Sequence, residues 1–184
     1  MLPVRRARVF TLLSALVLLL TAADALAQAP PAGEWKLFQE FNFLIGSWSG
    51  SADSGGRIGG RVVTFGLEVD GSTLTYRATT FYPAKESQPE TKTEEVAHVA
   101  YDGAKGKYVA LVVFSTKAWG IYDAEVRPDG SIRFTSREMA NLEAGVRSRW
   151  TLARKPDGSL AEDLEVAPPG KDFVPFVKAA LTKK

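Results

Sequence analysis

Apolar residues recur at every second position along most of the chain after position 46. In residues 61–69, Val63, Phe65 and Leu67 fall on one face, as they would on a half-buried β-strand. Trp48 begins the first segment of this kind. The other segments with strand patterning are residues 72–82, 93–101, 107–115, 119–127, 131–137, 145–154 and 159–166.

Short turn sequences separate these segments. Asp-Gly pairs or Pro-Asp-Gly triplets stand at 70–71, 102–103, 128–130 and 156–158, and the glycine-rich residues 54–60 predict a hairpin loop. Short strands at hairpin spacing favour an up-and-down antiparallel β-barrel, which leaves no sheet edge unpaired. The predicted fold class is therefore all-β, with about 9–10 strands closed into one barrel.

Two segments outside the strands have helical spacing. Residues 34–45 place Trp35, Phe38, Phe41 and Ile45 on one helical face. In residues 172–183 the apolar residues also fall on one side of a helix, and Pro175 lies in its first turn, where proline is tolerated. The pattern predicts a short helix at each end of the barrel.

The first 27 residues have the features of a secretory signal peptide. A basic start with Arg5, Arg6 and Arg8 precedes the apolar run Val9–Leu20, and Ala25-Leu26-Ala27 fits a cleavage site. The run of about 12 residues is short for an uncleaved membrane anchor, which needs about 20. We expect a signal peptide at 1–27, a flexible leader at 28–33 and one domain at 34–184 in the periplasm or outside the cell.

Charge and cysteine content exclude several classes of partner and chemistry. The chain has 23 Lys and Arg against 21 Asp and Glu, but three of the arginines and one aspartate precede position 28. The remaining chain is neutral, so we expect no nucleic-acid partner and no stable membrane insertion after cleavage. With no cysteine, the chain has no disulfide and no thiolate nucleophile or ligand.

Candidate catalytic groups are few. His98 is the one histidine, no Gly-x-Ser-x-Gly elbow accompanies it, and no second histidine or thiol is present for a zinc site. Asp123 and Glu125 share a strand face, where a glycosidase-like pair competes with an ordinary solvated strand end. We therefore predict no enzyme; the residues of a cavity-based enzyme would be His98, Tyr76, Arg77 and Asp123.

The segment Phe41-Asn42-Phe43-Leu44-Ile45-Gly46-Ser47-Trp48-Ser49-Gly50 resembles the opening of exported bacterial lipocalin-like (calycin) barrel proteins of uncharacterised function. The resemblance implies a barrel that is a container, with Gly46, Trp48 and Gly50 as structural motif residues. It further implies that the preceding helix closes one barrel end, although packing on a sheet edge is an alternative. In lipocalins the first-strand Trp often lies under an Arg from a late strand, for which Arg147 and Arg149 are candidates.

A more distant resemblance is to nitrobindin-type haem-binding barrels and fatty-acid-binding-like barrels. Nitrobindin-type barrels bind iron through a histidine late in the chain, and no histidine follows His98 here. Haem binding is therefore not carried over, and no cofactor is predicted.

Polar and aromatic residues on the strands are the candidate ligand contacts. They are Tyr76, Arg77, His98, Tyr108, Tyr122 and Trp150. Where such side chains point inward, they orient a ligand in an apolar cavity; otherwise the aromatic residues fill a core. The prediction is a non-catalytic barrel that binds a small, largely apolar molecule. The alternative is an envelope scaffold that acts through the 83–92 loop and the C-terminal helix, and the oligomeric state is left open.

Overall fold

The computed structural model describes residues 36–85 and 88–184. The predicted signal peptide and flexible leader lie outside the described residues. Within the described ranges, no helix is both long and apolar enough to cross a membrane.

The described residues form a short 3₁₀-helix, Lys36–Leu44, followed by ten β-strands. We refer to the helix as the plug helix. The strands are β1 (Gly46–Ser54), β2 (Arg57–Glu68), β3 (Thr73–Tyr82), β4 (Thr91–Asp102), β5 (Lys107–Phe114), β6 (Trp119–Val126), β7 (Ile132–Ala140), β8 (Arg147–Arg154), β9 (Leu160–Ala167) and β10 (Val174–Lys183).

The ten strands form one closed antiparallel barrel. Each strand pairs with its neighbours in sequence, and β1 pairs with β10, with Trp48 opposite Lys183. The predicted all-β class and the closed barrel are therefore confirmed. The glycine-rich hairpin loop is shorter than predicted, because β2 already begins at Arg57 and only Gly55 and Gly56 form the turn.

The predicted C-terminal helix is wrong, because residues 174–183 form the tenth strand. Val177, Ala179 and Leu181 are buried in alternation with exposed residues, which is the period of a strand. The same apolar residues also fit a helical period, so a short segment of this composition is ambiguous. Pairing with both β1 and β9 decides for the strand, and Pro175 sits at the point where the β9–β10 register shifts.

The plug helix packs into one end of the barrel, as predicted from the lipocalin-like resemblance. Phe38, Phe41 and Leu44 are completely buried. The Phe41 ring lies 4.7 Å from the ring of Tyr108 and 6.4 Å from that of Phe134, which stand near the starts of β5 and β7. The helix therefore seals this end with aromatic side chains, and we call it the closed end.

Gly50 allows β1 and β10 to approach each other closely. A Cβ atom at this position would lie 2.0 Å from the Ala180 carbonyl oxygen, whereas a Cβ at Gly60 would meet no atom within 4 Å. We expect Gly50→Ala to lower the free energy of unfolding by about 1–3 kcal/mol or more through overpacking. Gly60→Ala, measured beside it by chemical denaturation, should change stability by less than about 1 kcal/mol. Equal effects would contradict the close-approach explanation.

Candidate functional site

The barrel interior has a packed half and an open half. The packed half adjoins the plug helix and contains the apolar core, including Trp48, Phe65, Phe134, Ile132 and Leu152. Strand β5 shows the division, because it runs from Tyr108 against the plug helix to Phe114 on a cavity wall. A layer of buried polar side chains lies between the two halves.

This layer, which we call the polar floor, is built around an arginine and two glutamates from three different strands. Its members are Arg61, Tyr76, Thr80, Glu95, Trp150 and Glu162. Arg61 is 4% exposed and Glu162 is 2% exposed, so this ion pair is almost fully removed from water. Buried charges of this kind require close pairing and hydrogen bonds on most of their polar atoms.

Arg61 donates hydrogen bonds to both carboxylates. Its Nε and Nη2 atoms contact the two oxygens of Glu162 at 2.8 and 2.9 Å, which is a bidentate arrangement. Its Nη2 and Nη1 atoms also contact Glu95, at 2.9 and 3.2 Å, and Nη1 donates to the Thr80 hydroxyl. Burial disfavours the charged guanidinium, but the contacts with Tyr76, Glu162 and Glu95 outweigh it and raise the pKa of Arg61. The guanidinium is therefore charged, and each of its three nitrogen atoms donates to a protein acceptor.

Tyr76 and Trp150 complete the floor from the core side. The Tyr76 hydroxyl lies 2.7 Å from Glu162 and 3.0 Å from Glu95, and the Trp150 indole donates to Glu162 at 3.0 Å. Burial, followed by the negative charge of Glu162 and Glu95, raises the pKa of Tyr76, so its hydroxyl keeps its proton. Trp150 also stacks on Phe134, with ring centroids 4.5 Å apart, and this joins the floor to the aromatic core.

A cavity of about 530 Å³ lies above the floor, toward the barrel end opposite the plug helix. Its walls are mainly apolar and include Tyr82, Phe114, Ala118, Met139, Leu142, Val146, Leu164, Val166, Phe176 and Val177. Arg61, Thr80 and Glu95 also line it, so the polar floor forms part of its surface. A second void of about 10 Å³ lies between Glu95, Glu162 and Trp150, which is about the space for one water molecule. The main cavity has the size and the apolar lining of a small-molecule site.

The structure brings some of the six predicted contact residues together and separates the others. Tyr76, Tyr122 and Trp150 point inward and line the small void. Tyr108 lies at the closed end, where its hydroxyl is 2.6 Å from the Leu37 carbonyl oxygen. Burial and then the Glu40 carboxylate raise the pKa of Tyr108 to about 12.

Arg77 and His98 are exposed on the outer face of β3 and β4, so they do not line the interior. Asp123 also lies on the outer face, paired with Lys107 and Arg137 at 3.2 and 3.3 Å. Of the four residues considered for a cavity-based enzyme, only Tyr76 is inside the barrel.

Trp48 packs inside the barrel, but the cation over its ring is Lys183 and not one of the two expected arginines. Trp48 is buried and its indole donates to the Leu44 carbonyl oxygen at 2.6 Å, which ties β1 to the plug helix. The Lys183 ammonium lies 5.4 Å from the Trp48 ring centroid, whereas Arg147 and Arg149 lie over Phe173 instead. The arginine prediction is wrong because β8 does not adjoin β1; β10 occupies that position.

The sequence analysis did not identify the three charged residues of the floor as site residues. Their positions in the alternating strand pattern nevertheless indicate that they face inward. Arg61 is in phase with the buried Val63 and Phe65 on β2. Glu95 is in phase with Ala97 and Val99 on β4, and Glu162 with Leu160 on β9. A charge in phase with buried apolar positions predicts that this charge is buried.

Among residues 36–85 and 88–184, no three His, Asp or Glu side chains are placed to hold a metal ion. The floor carboxylates accept hydrogen bonds from Arg61, Tyr76 and Trp150. The arrangement is suited to hydrogen bonding and charge pairing at the base of an apolar cavity.

No family model matches the chain, and the search of curated proteins found no match. Among solved structures, the chain is similar to the crystal structure of Rv2717c from M. tuberculosis, with a TM-score of 0.57 and 16% sequence identity. The similarity covers 85% of this chain and 99% of that one. At this level of identity the comparison shows a shared barrel fold.

Proposed function

We propose that the protein is an exported, non-catalytic binding protein that holds a small, largely apolar molecule in its barrel. The observation that carries this proposal is the apolar cavity of about 530 Å³, open at one end and closed below by the polar floor. The signal-peptide pattern of residues 1–27 supports export to the periplasm or the exterior. The opening motif and the sequential order of the strands support a lipocalin-like, up-and-down barrel.

Burial of apolar ligand surface would supply most of the affinity. The gain is about 25 cal/mol per Å² before the losses of translational, rotational and conformational freedom. The cavity is already present in the structure, so a ligand can enter it without rearrangement of the packed core beneath the floor. The few polar groups at its base would orient the bound molecule.

Native mass spectrometry tests the proposal directly. The mature protein is purified from its own cell envelope, and its native mass is compared with its denatured mass. We expect a reproducible extra mass that corresponds to a small organic molecule and disappears on denaturation. A native mass equal to the denatured mass, together with no uptake of any apolar probe in solution, would contradict the proposal.

A substitution that occupies part of the cavity should weaken binding. Ala118 is buried on the cavity wall, whereas Ala100 is exposed on the outer face of β4. We expect Ala118→Phe to weaken binding of the neutral dye Nile red at least tenfold, because the new ring occupies ligand space. Ala100→Phe adds the same ring outside the barrel and should leave binding unchanged, as followed by dye fluorescence. Similar binding by both variants would place the dye outside the cavity.

One observation favours the scaffold alternative as a second candidate function. Neighbouring apolar side chains on the outer face of β4–β6, among them Val96, Leu111, Val113 and Ile121, are exposed or half-buried and lie opposite one another across the strands. Exposed apolar surface of this kind often marks a contact site. The two candidates differ in a strain that lacks this protein. If the protein is a scaffold, the Ala118→Phe variant should restore the lost phenotype; if it acts by binding a ligand, the variant should not restore it.

A further inference from the structure

Acidic side chains outnumber basic ones around the cavity, and the basic side chain is already paired with protein groups. Its lining includes Glu95 and Glu143, and among the described residues its one basic side chain is Arg61. Glu94 also lies at the cavity edge, but its carboxylate is exposed and paired with Lys92 at 2.6 Å. Glu162, directly beneath, adds a further carboxylate to the floor. The electrostatic environment at the base and the walls is therefore acidic.

Arg61 is not free to bind an anionic ligand. All three of its nitrogen atoms donate to protein acceptors, and the two carboxylates together outweigh its single positive charge. A carboxylate or phosphate head group in the cavity would have to displace Glu95 or Glu162 from the guanidinium. It would also approach those displaced carboxylates at the base of the cavity, where like charges repel more strongly than in bulk water.

Glu95 is the floor residue with unused acceptor capacity toward the cavity. Its side chain is 14% exposed, against 2% for Glu162. The Oε2 atom of Glu95 accepts from Arg61 and Tyr76, whereas its Oε1 atom has one contact, a 3.2 Å hydrogen bond from Arg61. A carboxylate oxygen accepts about two hydrogen bonds, so Oε1 can accept one from a ligand.

We infer that the cavity selects an amphipathic cation: an apolar body with one protonated amine that pairs with Glu95. This inference rests on the proposed binding function and specifies the ligand class. The ammonium would supply the positive charge that the floor lacks, and its N–H groups would donate to Glu95 Oε1. The apolar body would lie against the wall that includes Phe114, Leu142 and Val166. Glu143 near the cavity wall would favour entry of a cation over entry of an anion.

Three probes with the same alkyl chain and different head groups test the inference. They are dodecylammonium, dodecanol and dodecanoate, used below micellar concentrations at neutral pH, where the amine is protonated and the acid is ionised. Displacement of Nile red from the full-length mature protein gives their affinities. We expect dodecylammonium to bind about 10–100-fold more tightly than dodecanol, as for a hydrogen bond to a charged group, and dodecanoate to bind most weakly.

Glu95→Gln removes the charge and retains the shape of the side chain. We expect this variant to reduce the preference for the amine over the alcohol to within about threefold, while dodecanol affinity reports that the cavity is intact. Glu138→Gln, which changes an exposed glutamate on the outer face of β7, is the matched control and should retain the full preference. The ranking of the three probes on the unmodified protein tests the inference even where Glu95→Gln does not fold.

The outcomes separate the inference from the proposed function. If dodecanol or dodecanoate binds as tightly as dodecylammonium, the head-group inference is overturned and the binding function stands. If no probe displaces the dye, and the dye itself does not bind, both are overturned. If the amine preference is retained in Glu95→Gln, the assignment of Glu95 as its partner is overturned.

Discussion

Replacing Arg61 with methionine should lower the free energy of unfolding by about 3–5 kcal/mol at neutral pH. The substitution leaves the buried Glu162 and the partly buried Glu95 beside Tyr76, without the cation that now pairs with both. Removing one partner of a buried ion pair is more damaging than removing the whole pair, because the remaining charge has lost its water and its counterion. Chemical denaturation monitored by circular dichroism measures the loss.

Arg77→Met is the matched control, because Arg77 is exposed on the outer face of β3; it should change stability by no more than about 0.5 kcal/mol. An equal loss for both variants would show that Arg61 does not stabilise the protein through the two carboxylates.

Trp48→Ala should also destabilise the barrel, by about 3–5 kcal/mol. The substitution leaves a cavity at the closed end and removes the hydrogen bond from the indole to the Leu44 carbonyl oxygen. Because that bond joins β1 to the end of the plug helix, the helix should detach more readily than the strands unfold. Thermal unfolding, together with hydrogen exchange of residues 36–44, reports the two effects.

Trp119 offers a matched control for this substitution. It is a half-buried tryptophan on the outer face of β6, and Trp119→Ala should lower stability by about 1 kcal/mol or less. Nile red binding should be retained by Trp48→Ala under conditions where the variant is folded, because the cavity lies at the other end of the barrel. A larger effect from Trp119 than from Trp48 would contradict the assignment of Trp48 to the closed end.

The strands were predictable because one face of each is buried and the other is not. Val63, Phe65 and Leu67 alternate with outward residues in the second half of β2, so periodicity alone identifies this part of the strand. Residues 174–183 were assigned to the wrong element because Val177, Ala180 and Leu181 also satisfy a helical period. Tertiary pairing with β1 and β9, which no local pattern contains, decides their conformation.

The candidate site was only partly predictable, for a related reason. Alternation placed Tyr76, Tyr122 and Trp150 on strands but did not state which face of each strand is inside. Arg61, Glu95 and Glu162 come from strands far apart in sequence, and Arg61 is 101 residues from Glu162. Their meeting depends on the curvature and closure of the whole sheet. The in-phase charges predict burial of each residue, but their mutual pairing requires the barrel geometry.

Closure of the barrel between β1 and β10 has a consequence for how the chain acquires its structure. The Thr182 hydroxyl bonds to the Ser49 carbonyl oxygen across 133 residues, so this seam forms only after a large loss of chain entropy. Hairpins along the meander assemble locally and early, whereas the seam is a late event. Until it forms, two unpaired strand edges are exposed and can associate with the edges of other chains. The yield of refolded protein should therefore fall as protein concentration rises.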